Sequence, residues 1–232
     1  IVILFGISIP FLGAFTLPIV GLVFGILTVF FSIGFAAKVD RNLENHTIIL
    51  VGMVFSMFIN AVLTTLSTYH KDKAQYILYW QMGSFSSREW IHVGMIAFVT
   101  FIGVLLLMGY GRELDIMTFG EEQAKSIGVN VKRVKWGLLG ISAVLTGISV
   151  AFAGVIGFVD LIVPHIVRKV YGSSHRYVIP LSAILGGAFM VLVDLIARTV
   201  VSPSELSVGA VTALIGAPFF AYIYFGGRKK VS

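Results

Sequence analysis

The 232-residue chain is 57% hydrophobic and 12% charged, with a mean hydropathy of +0.96 and no cysteine. A soluble domain is closer to about 45–50% apolar and about 25% charged, so these figures exclude one, and the missing cysteines exclude disulfides and thiolate metal sites. The pI near 9.6 and formal charge of +6 do not point to a nucleic-acid partner, because the basic residues stand in short loops between apolar runs rather than on one polar face.

Apolar runs long enough to cross a bilayer, on the order of 20 residues of helix, recur along the whole sequence. The expectation is therefore an all-α, polytopic transmembrane bundle forming one domain over 1–232. The opening "IVILFG" has no initiator Met and no polar leader, as for a chain that begins inside a span. The elements expected in chain order are a short piece at 1–12 and a span at 15–37 that ends at "KVDRNLENH". A span at 47–69 ends at "YHKDK" and is followed by a shorter amphipathic piece at 74–86 with Trp80 and several tyrosines, an interfacial composition. A span at 90–110 leads into the charged island "FGEEQAKSIGVNVKRVKW".

Beyond the island, 136–170 is apolar almost throughout. Cytoplasmic loops collect Lys and Arg, and placing "KVDR", the island with Arg112, "RKVYGSSHR" and "RKK" inside gathers 13 of the 17 basic residues there. Lys135 and Arg168 would then both be inside, with one apolar run between them. As a continuous helix that run would be about 50 Å long, against a hydrocarbon core of about 30 Å. It must break, and "AGVIGF" is where Gly154 and Gly157 permit a turn, with Pro164 further on opposing an unperturbed helix. The expectation is a full span at 136–153 and a return leg at 158–170, inside the bundle or along a pathway, because irregular backbone at membrane depth needs protein or water to satisfy it. Spans at 179–198 and 207–226 complete the chain.

Within the island, Ala124, Ile127, Val131 and Val134 make a weak apolar stripe among charges, as in a short amphipathic helix from Gly120 to Ile127 that breaks at Gly128 and resumes after Asn130. Such a helix has a face for a partner. A loop charged only for topology and solubility fits the stripe equally well.

The motifs "GEEQAKSIGVNVKRVK", "LTGISVAFAGVIGFVDLIVPHIVRKVYGSSHRYVIPLSAILGGAF", "DLIARTVVSPSELSVGAVTALIGAPFFAYIYF" and "YWQMGSFSSREW" occur in this order. Together they resemble the FecCD-type permease family, transmembrane subunits of ATP-binding-cassette importers for ferric siderophores, haem and cobalamin. The resemblance implies a type II importer bundle of ten spans. This chain would supply the third to the tenth, about eight, and would lack the first two with their Asn-Pro-Leu-Ala-type motif. It implies a multi-pass subunit of the bacterial cell membrane, surrounded by lipid and paired with a second permease chain. It also implies two cytoplasmic ATP-binding subunits inside and a periplasmic or extracellular substrate-binding protein outside. No cofactor is expected in this chain, since ATP and Mg belong to the ATPase partner.

By the same resemblance, 112–135 is the coupling segment, a pair of short helices seated in a cleft of the ATPase. Glu121, Glu122, Ala124, Ser126, Gly128 and Val129 are its expected contacts, and Ala124 and Gly128 repeat the Ala-x-x-x-Gly spacing of coupling loops in other importers. Arg198 would meet a glutamate of the binding protein. On sequence grounds alone it pairs with Asp194 four residues earlier, and Glu205 competes for it. Asn45, His46 and Thr47 in "LENHT" stand where the family keeps its cytoplasmic gate.

Asn60 is polar at membrane depth and is expected to face either another helix, bonding to it, or the pathway, and Gly52, Ser56, Gly147, Ser149, Gly186 and Gly187 suit close helix packing. His165 and His175 lack accompanying carboxylates or cysteines and are read as structural rather than metal-binding. No phosphate loop, H-E-x-x-H or G-x-S-x-G is present, so the chain is expected to hold no enzymatic activity. The alternatives are an ion-driven secondary transporter, whose buried carboxylates would be Asp160 and Asp194, and a truncated, inactive permease.

Overall fold

The computed structural model describes residues 16–40, 45–86 and 88–226, so the expected piece at 1–12 lies outside the described residues. Ten helices and no strands occur among the described residues: α1 (Thr16–Val39), α2 (Asn45–Tyr69), α3 (Lys71–Gln81), α4 (Trp90–Gly109), α5 (Gly111–Met117), α6 (Glu121–Ser126), α7 (Val131–Ala153), α8 (Val159–Tyr171), α9 (His175–Thr199) and α10 (Val208–Gly226). Five of these, α1, α2, α4, α7 and α9, are long and apolar enough to cross a membrane, and Val208–Ile223 forms a shorter apolar helix. The chain is a multi-pass membrane protein.

Helices in lipid gain little from apolar contact with each other, so small residues that let backbones approach decide the packing. Along α1, Gly21 and Gly25 lie against α7: a Cβ on Gly25 would stand 3.2 Å from the Gly147 Cα, and one on Gly21 would stand 3.1 Å from the Ala151 Cβ. A Gly-x-x-x-Gly step thus meets a Gly-x-x-x-Ala step, and Gly147 plays the packing part expected of it. Gly52 and Gly187 do not, since a Cβ at either would meet nothing within 4 Å. Asn60 also differs from the first of its two expectations. It is exposed on α2, and its Nδ2 donates to the Ser56 carbonyl of its own helix at 3.0 Å. A side chain that meets no other helix among the described residues closes its hydrogen bond locally.

The long apolar run breaks where its length requires. α7 stops at Ala153, Gly154 takes φ +78, and the chain turns through Phe158 at φ +68 into the return leg α8. Pro164 lies inside α8 rather than ending it. Three boundaries differ from the sequence reading. α7 begins at Val131, not 136, because Val131, Val134 and Lys135 of the charged island are buried and the Asn130 side chain caps the helix by accepting from the Arg133 N–H at 3.0 Å. α9 begins at His175, not 179, and carries Pro180 within it. α3 spans Lys71–Gln81 rather than 74–86, as Gly83 turns away at φ +74.

The two ends of the bundle are fixed by polar contacts. On one side the Asp115 carboxylate of α5 holds Ser174 and His175 at the start of α9, so the island and the "RKVYGSSHR" loop share a side, as the positive-inside argument required. On the other side, the Ser84 N–H donates to the Ala153 carbonyl at 2.9 Å, the Gly209 N–H donates to Met82 at 3.0 Å, and the Ser86 hydroxyl donates to Glu205 Oε2 at 2.7 Å. Between these ends, α4, α7, α8 and α9 enclose a cleft of about 1040 Å³, lined among others by Ser149, Pro164 and Ser182 and reaching Arg168 and His175.

Candidate functional site: the coupling segment

The segment 111–126 folds as two short helices joined by a bend, α5 and α6, of which only α6 lies within the island. The stretch after Asn130, expected to resume the amphipathic helix, is the first turn of α7. α5 starts directly after α4, turned by Tyr110 at φ −92, ψ 6. Gly120, at φ +116, then separates α5 from α6.

The end of α6 explains Gly128. Its N–H donates to the Lys125 carbonyl and the Val129 N–H donates to the Ala124 carbonyl, both at 3.0 Å, with Gly128 at φ +96. These two bonds close a Schellman motif, which requires a residue tolerant of positive φ at that position. A Cβ there would meet no atom within 4 Å. Gly128 is therefore demanded by backbone conformation, while the space beside it stays open.

Ala124 is 0% exposed, so its small side chain is covered by the chain itself. Glu121 is also engaged internally: Lys135 Nζ on α7 lies 2.6 Å from Glu121 Oε1, with the lysine side chain 7% and the glutamate 30% exposed. Glu122 is exposed in the first turn of α6, where the helix dipole favours its charge. Ser126 is exposed and donates its hydroxyl to the Gln123 carbonyl at 2.8 Å. Two large apolar residues absent from the expected contact set are exposed, Phe119 by 79% and Ile127 by 70%. Of the stripe Ala124, Ile127, Val131 and Val134, which the sequence offers as a face for a partner, Ile127 alone is exposed and the other three are buried against the chain itself. A large apolar residue next to a glycine in a charged loop was the available signal for both.

Asp115, on α5, was not singled out either. Its Oδ1 accepts from the His175 backbone N–H at 2.8 Å and lies 2.6 Å from the His175 ring Nδ1, and its Oδ2 accepts from the Ser174 hydroxyl at 3.1 Å. Partial burial works to raise the Asp115 carboxyl, but the hydrogen bonds from His175 and Ser174, with the His175 charge, outweigh it and hold the group below the usual carboxylate range.

On the opposite side, Arg198 Nε donates to Asp194 Oδ2 at 2.8 Å, and Glu205 takes Ser86 instead of competing for the arginine. Asn45 opens the backbone of α2, its side chain lying outside the described residues, with His46 exposed and Thr47 half-buried behind it. His165 stands edge-on to Phe219 of α10, ring centroids 6.4 Å apart.

The FecCD transport family profile matches residues 1–225. The chain belongs to the FecCD transport family. Among FecCD relatives it is 39% identical over 228 residues to an uncharacterized ABC transporter permease protein, YvrB, of Bacillus subtilis, covering 97% of this chain and 65% of that protein. It is 39% identical over 199 residues to the cobalamin import system permease protein BtuC of Halobacterium salinarum, covering 86% of this chain and 53% of that one. The chain thus spans between about half and two thirds of the length of these FecCD relatives. A solved structure of a metal-chelate type ABC transporter in an inward-facing conformation superposes with a TM-score of 0.86 at 29% identity, covering 97% of this chain and 70% of that one.

Proposed function

We propose that this chain is transmembrane permease machinery of an ATP-driven importer for metal chelates, with ferric siderophores as the cargo class. ATP hydrolysis takes place in a separate cytoplasmic subunit seated on α5 and α6. A substrate-binding protein docks near Arg198, and a second permease chain completes the passage. The observation that carries this reading is the coupling segment: a short, capped helix pair on the side rich in Lys and Arg, its inner residue Ala124 covered and Phe119 and Ile127 projecting. Exposed aromatic and aliphatic side chains amid charge are what a protein pocket buries on docking.

The relatives support the metal-chelate part of this reading by what they carry: cobalamin in BtuC of Halobacterium salinarum, ferric citrate in YfmD of Bacillus subtilis and hemin in HmuU of Yersinia pestis. An ion-driven alternative loses a carboxylate on which it would depend, since Asp194 is committed to Arg198 within its own helix.

Two substitutions at Gly128 test the reading. Alanine and tryptophan bear a comparable backbone strain at φ +96, but only tryptophan fills the open space beside it. Gly128→Trp is expected to lose ATPase binding and uptake in the reconstituted complex well beyond the loss in Gly128→Ala. Equal behaviour of the two would remove the docking role. Uptake of a panel of ferric hydroxamates, ferric catecholates, hemin and cobalamin, each with its binding protein, assigns the cargo, and transport confined to hemin or cobalamin would refute the siderophore class.

A further inference from the structure

The two short helices of the coupling segment are fastened to different transmembrane helices. On α5, the Asp115 carboxylate reaches across to the first residues of α9, accepting from the Ser174 hydroxyl at 3.1 Å and the His175 N–H at 2.8 Å. The first N–H groups of a helix have no partner within it, and its N-terminus favours negative charge. The Ser174 side chain makes no capping bond of its own, so the cap of α9 comes from α5. On α6, the Glu121 carboxylate holds Lys135 in the opening turns of α7 at 2.6 Å, with the lysine buried. Tyr110, at the junction of α4 and α5, places its hydroxyl against Gly137 of α7, so the root of the pair is also seated.

Deeper in the membrane, α7 and α9 form facing walls of the 1040 Å³ cleft, α7 contributing Ser142, Thr146 and Ser149 and α9 contributing Ser182 and Gly186. They are not among the helix pairs that pack extensively along one another. The bend between α5 and α6, Thr118–Gly120, contains the positive-φ Gly120.

We propose that Asp115 and the Glu121–Lys135 pair are positioning residues that wire α5 to α9 and α6 to α7, so that a shift of one coupling helix against the other changes the separation of the two cleft walls. The inference rests on the importer reading above and names the route by which its coupling segment acts. A rigid island would move the bundle as one body. Two tethers to two helices turn a change in the angle between α5 and α6 into a change between α7 and α9, as the two arrangements of an alternating-access element require.

The test uses the full transporter, with its ATPase and binding protein, in proteoliposomes. The 232 residues contain no cysteine, so single introduced cysteines can carry spin labels at Lys132 of α7 and Tyr177 of α9, both exposed, in one permease copy per complex, with any cysteine elsewhere in the complex replaced. In the unsubstituted complex ATP is expected to change the label distance. Asp115→Ala and Lys135→Met are expected to lose that distance change and to lower uptake per ATP hydrolysed roughly tenfold. The exchanged pair Glu121→Lys with Lys135→Glu is expected to recover it, which guards against a folding defect in Lys135→Met. An unaltered distance change in both single variants, or normal uptake per ATP, overturns the tether proposal while leaving the importer reading intact. An unsubstituted chain that binds no ATPase overturns that reading itself.

Discussion

Gly154 and Gly157 look interchangeable in "AGVIGF", but the structure separates them, and alanine at each position measures the difference. Gly154 sits at φ 78, ψ −167, a region essentially reserved for glycine, and forcing another residue into it costs about 1–3 kcal/mol. Its Cβ would also press on the Trp80 carbonyl oxygen and stand 2.8 Å from the Gly83 Cα. Both are backbone atoms in the knot joining α3, α7 and α10, and overpacking of this kind adds about 1–3 kcal/mol. The sum is about 2–6 kcal/mol. At about 2–4 °C per kcal/mol for a chain of this size, Gly154→Ala is expected to lower the melting temperature by roughly 4–24 °C. A Cβ on Gly157 meets nothing within 4 Å, so Gly157→Ala should stay within about 0.5 kcal/mol of the parent. Thermal unfolding of the detergent-purified protein, followed by tryptophan fluorescence, reads both. If Gly154→Ala melts with the parent, or Gly157→Ala melts as early as Gly154→Ala, the assignment of the break to one glycine is wrong.

Two further outcomes are expected. Gly25→Leu should separate α1 from α7 and cost about 1–3 kcal/mol in the same melting experiment, whereas Gly34→Leu on the same helix, where a Cβ meets nothing within 4 Å, should be close to neutral. Removing Arg198 should weaken capture of the substrate-binding protein by about tenfold in a surface-binding assay at low salt, with the loss shrinking as salt screens the exposed pair; unchanged affinity would leave Arg198 as a partner of Asp194 alone.

Much of the architecture was legible from apolar length and basic loops. The break in 136–170 followed from a helix too long for the bilayer with cations at both ends, and the contact of Asp115 with His175 puts those ends together. The site was legible to a smaller degree. Gly128 drew attention as a small residue for close approach, but its two cap bonds and positive φ are a local backbone requirement. Ala124 and Glu121 are expected partner contacts; Ala124 is covered by its own chain, and Glu121 pairs with Lys135 with 30% of its side chain exposed. Phe119 lies outside the expected stripe and Ile127 within it, because a short helix has too few turns for its periodicity to say which apolar residues stay exposed.

By itself the sequence determined that this is a membrane bundle, where its main apolar runs lie, that the loops before α7 and after α8 share an end, and where its longest run must turn, because bilayer thickness and charge cost act on residues near one another in the chain. Tertiary structure alone decided which carboxylate holds which helix. Asp115 and His175 are 60 residues apart and Ser86 and Glu205 are 119 apart. Such partners are chosen by how helices stack through small residues such as Gly25 and Gly147, and that stacking leaves only a faint periodic trace along the chain.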